Sequence, residues 1–231
     1  MKLKVLALGA ALCAGRLFAN SVVLTDTAND GNLNGGEFLA TSTAGTFLTF
    51  CLERTVTVNM STPYTFTIDS RALTGGNDQH DPSGPGPAGD PLSAGTAWLY
   101  TQFILGTLVD TDGSGLYGDA GTHAGLSARD YNAGVLQTAI WILEDEIDAS
   151  NYDSNPYFLN NEYINLLTDS SHFGSLAAAQ ATYTGDRVKV MNIWEGLVDK
   201  QSQLIYVPDT GMTVVLLGLG LVSLAIFRRR S

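Results

Sequence analysis

The 231 residues carry 23 acidic against 12 basic side chains, a formal net charge of -11 that argues against nucleic acid, anionic lipid headgroups or acidic polysaccharide as direct partners. Six of the basic residues lie in the two terminal segments and all 23 acids lie between them, a distribution that favours solubility and tolerates divalent cations. Between those segments roughly 190 residues remain, enough for one domain.

In chain order, the first segment is "MKLKVLALGAALCAGRLFAN". Lys2 and Lys4, the apolar run from Val5 to Ala14 and the small or polar residues near Ala19 have the layout of a secretory signal peptide over residues 1–20. The expected extracellular domain covers 21–206. It opens with short apolar runs separated by turn residues: "SVVLT", "EFLATS", "TFLTFCLERTVTV" and "YTFTIDSRAL". The period-two alternation in "TVTV" and "TFTI" predicts strands of a half-buried antiparallel sheet, and Cys51 falls within the third run. Residues 74–96 are a Gly/Pro loop that excludes helix and central strand.

"AWLYTQFILGTL", residues 97–108, reads as a helix, and "LSARDYNAGVLQTAIWILEDEID" as the strongest helix in the chain. Ser127 with Asp130 resembles a capping box, and Val135, Leu136, Ala139, Ile140 and Leu143 follow at helical spacing. The acids Glu144, Asp145, Glu146 and Asp148 read as a solvated end of that helix. Weaker helices are expected in "NNEYINLLTDS" and "SLAAAQA", then strands in "RVKVMNIW" and "SQLIYV". The fold class is α+β: a mainly antiparallel β-sandwich or barrel-like domain with a helical insertion, followed by a C-terminal transmembrane helix.

That last helix is the uncharged stretch of seventeen residues from Gly211 to Phe227, which ends at Arg228, Arg229 and Arg230. At 1.5 Å per residue it spans roughly 25 Å, within reach of a hydrocarbon core of about 30 Å, and the arginines would hold its end in the cytoplasm. The preceding Val207, Pro208, Asp209, Thr210 and Gly211 complete a three-part tail that resembles the PEP-CTERM class of sorting signals in its VPDSG form, with Thr210 in place of Ser. The resemblance covers 207–231. It implies an exosortase-type processing enzyme as partner, membrane attachment through the tail, and a destination at the cell surface or in an exopolysaccharide matrix.

Cys51 is the one cysteine outside the leader-like segment, where Cys13 lies. Gln137 sits among the apolar residues of the strong helix, where a partly buried amide needs partners. By residue type alone, Cys51 reads as a small buried hydrophobe, as a lone strand cysteine usually is, and Gln137 as a glutamine that bonds a strand carbonyl. Together, "TFCLER" and "LQTAIW" resemble the thioester domains of bacterial surface adhesins, in which a cysteine follows an aromatic residue on a strand and a glutamine lies in a Thr-Gln-x-Ala-Ile-Trp signature on a later helix. Gln137, Ala139, Ile140 and Trp141 match it, while Leu136 stands where the signature has Thr. The resemblance implies an internal Cys51–Gln137 thioester that reacts with surface amines, and a non-enzymatic, adhesive function. The alternative is a non-reactive structural or calcium-assisted carbohydrate-binding envelope module.

No cofactor is required by this reading, but calcium has two candidate loops. In "DTANDGNLNGGE", Asp26, Asp30, Asn34 and Glu37 fall at positions 1, 5, 9 and 12 of an EF-hand loop, with Ala28 at position 3 and strand-like rather than helical flanks. "DTDGSG" offers Asp110 and Asp112. His80, His123 and His172 show no ligand spacing, and HExxH, paired CxxC and G-x-S-x-G motifs do not occur.

Overall fold

Alternating burial builds the main sheet. In the computed structural model, residues 20–27, 29, 35–43, 45–73, 89–113, 115–119, 121–123, 125–147 and 160–208 are described. Their elements are β1 (Ser21–Asp26), β2 (Phe38–Ser42), β3 (Gly45–Thr49), β4 (Pro63–Asp69), the two-residue strands β5 (Arg71–Ala72) and β6 (Asp90–Pro91), α1 (Ala94–Leu105), and the two-residue strands β7 (Thr122–His123) and β8 (Leu126–Ser127). The helices α2 (Ala128–Leu143), α3 (Glu162–Thr168) and α4 (Leu176–Ala179) and the strands β9 (Val188–Glu195) and β10 (Val198–Tyr206) follow. Six strands form one sheet in the order β10-β9-β4-β1-β2-β3, with every neighbouring pair antiparallel.

β1 buries Val22 and Leu24, and β4 buries Tyr64 and Phe66. These meet Ala40, Met191, Ile193 and Ile205 in one cluster on the inner face of the sheet. β9 and β10 are buried on both faces: Val188, Val190 and Leu204, of opposite parity to Met191, Ile193 and Ile205, pack instead with α1 and α2 in a second, larger cluster. The helices therefore cover the outer face at β9 and β10.

The sheet curls until its edges meet. Beyond β3, the Leu52 N–H donates to the Ser202 carbonyl (3.0 Å) and the Leu204 N–H to the Phe50 carbonyl (3.1 Å), with Cys51 facing Gln203. Thr49 Oγ1 and the Tyr100 hydroxyl both donate to the Leu204 carbonyl, at 2.6 and 3.2 Å, and fasten the seam to α1. This is the barrel-like form of the expected α+β class. The third apolar run does not continue as a strand: β3 stops at Thr49, and the "TVTV" residues 55–58 form no ladder. Once residues 50–52 have closed the seam, the chain must cross to β4, which lies between β1 and β9, and alternation without a neighbouring strand has nothing to pair with.

α1 begins three residues earlier than its apolar run suggests, because Ser93 accepts the Thr96 N–H as N-cap, and it ends where Gly106 adopts a left-handed φ of 67°. In α2, Ser127 accepts the Asp130 N–H as expected. Every residue from Asn132 to Leu143 is buried, so α2 has no solvent face over that span. Among the described residues no helix is long and apolar enough to cross a membrane; the expected span at 211–227 lies outside them, as does the leader up to residue 19.

A candidate reactive site at Cys51 and Gln137

Gln137 is fully buried midway along α2, and the curled sheet brings Cys51 against it across 86 residues of sequence. The Cys51 Sγ lies 3.1 Å from Gln137 Oε1. The same oxygen accepts the Gly36 N–H at 2.9 Å and the Cys51 N–H at 3.1 Å, and Gln137 Nε2 donates to the Cys51 carbonyl at 2.8 Å. Since the side-chain carbonyl carbon lies about 1.2 Å from its oxygen, the sulfur is at most about 4.3 Å from that carbon. Two backbone N–H groups aimed at one amide oxygen form the type of cradle that stabilises an oxyanion.

Gly35 and Gly36 make this approach feasible. Gly36 has φ 115°, a conformation that suits glycine, and directs its N–H at Gln137. A Cβ on Gly35 would lie 2.8 Å from the Trp141 ring and 3.3 Å from the Cys51 sulfur. The following Glu37 is buried and anchors this stretch. Its carboxylate accepts from Arg129 Nη2 at 2.9 Å and Nε at 3.2 Å and from the Tyr117 hydroxyl at 3.3 Å, with the guanidinium 5.6 Å above the Tyr117 ring.

The surroundings are dry. Phe38, Trp141, Ile142 and Ile147 pack with Cys51 in one cluster. Burial pushes the Cys51 thiol well above its ordinary range, with Glu53 and Glu146 adding to the effect, so the sulfur is held as a neutral thiol. Glu53 is itself pushed up to about 8 by burial. Its Oε2 accepts the Ser202 N–H at 2.5 Å, while its Oε1 has no hydrogen-bond partner.

The acidic end of α2 is not solvated as its sequence suggests. Glu144 accepts the Ser93 N–H at 3.2 Å and the Ser93 hydroxyl at 2.7 Å, and Glu146 accepts the Arg54 N–H at 3.0 Å. Both are buried, and burial pushes Glu144 up to about 7. They act as acceptors for the start of α1 and for the segment after Cys51. Asp148 lies outside the described residues.

Of the calcium candidates, Asp26 ends β1, Asp30 and Asn34 lie outside the described residues, and Glu37 is engaged by Arg129. Asp110 accepts the Thr111 hydroxyl at 3.2 Å and the Asp112 N–H at 3.4 Å within its own turn. Among the described residues no group of three or more His, Cys, Asp or Glu side chains is placed to hold a metal ion. His80 is outside them, and His172 packs edge-on to Trp98 at 4.9 Å. Of the sorting motif, Val207 donates its N–H to the Arg187 carbonyl at 2.7 Å, Pro208 follows, and Asp209, Thr210 and Gly211 lie outside the described residues.

The sequence reading named Cys51 and Gln137 and missed Gly36, Glu53, Gln203 and the Glu37–Arg129 pair. The adjacent glycines in "NGGE" were the available signal for Gly36, and nothing local marks Gln203.

Residues 206–231 match the VPDSG-CTERM motif. The chain thus carries a PEP-CTERM-type C-terminal sorting signal, which implies processing by an exosortase-type enzyme and is consistent with an exported, surface-associated protein. No curated protein and no solved structure matches the chain.

Proposed function

We propose that this exported protein forms an internal thioester between Cys51 and Gln137 and uses it once, to attach covalently to an amine at a cell or matrix surface. The observation that supports the reading is the seating of the Cys51 sulfur 3.1 Å from an amide oxygen that two backbone N–H groups already hold. Sγ attacks the Gln137 side-chain carbonyl carbon, and the charge that develops on Oε1 is received by the Gly36 and Cys51 N–H groups. The C–N bond breaks, Nε2 leaves as ammonia with the former thiol proton, and the acyl group remains on sulfur. In the second step a primary amine attacks the same carbon, the C–S bond breaks, the amine nitrogen gives up a proton, and Cys51 regains its thiol. Each event consumes the bond, so the chain is not a turnover enzyme.

A signal peptide over 1–20 and a membrane-spanning tail at 211–227 complete this reading, with the domain facing outward before the sorting enzyme acts. A second reading has its own support. Gln137 makes four contacts without any reaction, so the same network also serves as an inert clamp between α2 and the seam.

Methylamine labelling separates the two. In a thioester, methylamine adds at Gln137 and one thiol becomes titratable after denaturation for each label. An inert clamp takes up no methylamine, and its Cys51 titrates fully as soon as the chain is unfolded.

A further inference from the structure

The seam beside Cys51 holds an acceptor that the contacts above leave unused. Cys51 and Gln203 are directly opposed, flanked by the Leu52-to-Ser202 and Leu204-to-Phe50 bonds, and form a non-hydrogen-bonded antiparallel pair. In such a pair both side chains rise on the same face, with Cβ atoms about 4.5–5.5 Å apart. Gln203 is fully buried, its Nε2 reaches the Gln201 carbonyl at 3.4 Å, and its Oε1 has no partner. Glu53, two residues beyond Cys51 and 2% exposed, likewise has an unpartnered Oε1. An unpaired dry acceptor directly opposite Cys51 is unusual, since buried polar atoms are nearly always paired. What Gln203 Oε1 lacks is a donor. A primary amine, the nucleophile that the thioester reading requires, brings N–H bonds to this place.

Resting on that reading, we propose that Gln203 is the amine-recognition residue of the Cys51–Gln137 pair. The Gln203 side-chain carbonyl accepts an N–H of the incoming primary amine, turning the nitrogen lone pair toward the acyl carbon. Once the C–N bond forms and the C–S bond breaks, the proton leaving the nitrogen ends on the Cys51 sulfur. The chain returns to solvent at the exposed Arg54, directly after Glu53. Gln203 is a positioning residue. It selects nucleophiles that carry N–H over those that do not.

The test compares methylamine with 2-mercaptoethanol, a nucleophile without N–H, on the full chain purified in amine-free buffer. Gln203→Met should still form the bond but react with methylamine about tenfold more slowly, the loss expected for one hydrogen bond, while thiol exchange stays within about twofold of the parent. Gln203→Asn, which keeps the polarity and withdraws the oxygen by one methylene, should show the same selective loss and serves if the Met variant does not fold. Equal slowing of both nucleophiles, or no slowing, in a parent that does form the bond overturns the amine-recognition role alone. A parent with no thioester overturns the bond and this role together.

Discussion

At the scale of single residues, the site depends on donors and acceptors that have no substitute partners. Gln137→Ala would leave the Gly36 and Cys51 N–H groups and the Cys51 carbonyl buried and unpaired. Orphaned groups cost about 1–3 kcal/mol each, so thermal unfolding of this variant should show a loss of several kcal/mol. Cys51→Ala removes only the sulfur and should cost far less. Gly35→Ala pushes a methyl group against the Trp141 ring at 2.8 Å. An overpacking loss of about 1–3 kcal/mol is expected in denaturant unfolding, together with slower bond formation as Cys51 is displaced. A neutral result for Gly35→Ala would mean that Trp141 moves aside freely. The residue pair itself was legible in the sequence, because "TFCLER" and "LQTAIW" carry chemistry-bearing side chains in recognisable surroundings. Gly36 was not, since its contribution is a backbone N–H whose aim depends on a φ of 115°.

At the scale of elements, α2 does two tasks: it carries Gln137 on its middle turns, and its C-terminal acids hold the start of α1 and the segment after Cys51. Ser93 caps α1 and donates to Glu144. Ser93→Ala should therefore cost about 1–2 kcal/mol, at the upper end of an N-cap substitution, because the carboxyl loses a donor as well. The pH response follows from the same burial. Glu53 and Glu144, pushed up to about 8 and about 7, keep protons in the folded chain that the unfolded chain releases from about pH 4.5. A raised acid contributes stability in full below its unfolded value and loses it as pH rises through its folded value. Unfolding free energy should therefore fall between about pH 5 and 8, by at most about 1.4 kcal/mol per pH unit for each group, seen as a falling melting temperature over that range. Glu144→Gln should flatten the part of this slope below pH 7; a slope unchanged in that variant would assign it to other groups. Sequence pattern located the helices and most strands well, with Ser127 and the α2 stripe as clear signals. It failed at "LEDEID", because whether a carboxylate is solvated depends on what packs over it, and Ser93 is 51 residues away. It failed likewise at "TVTV", where alternation lacked a neighbouring strand.

At the scale of the whole molecule, the closure of the sheet is the decisive event. It joins Cys51 to Gln203 across 152 positions of sequence and brings the Cys51 thiol to α2, a pairing that no local pattern encodes. β10 ends at Tyr206, and Val207, the first residue of the sorting motif, donates its N–H to the Arg187 carbonyl. Removing residues 209–231 should leave the unfolding midpoint of the domain unchanged while abolishing surface retention, measured by fractionating cells that export each form. A lower midpoint would mean that the tail contributes to the fold. The account as a whole stands on one covalent bond, and the intact mass of the protein purified without amines tests it most directly. Formation of the thioester expels ammonia, so the parent should weigh about 17 Da less than its sequence requires, and Cys51→Ser should show no deficit. A parent at its full sequence mass would contradict the reactive site and leave Cys51 and Gln137 as a structural clamp.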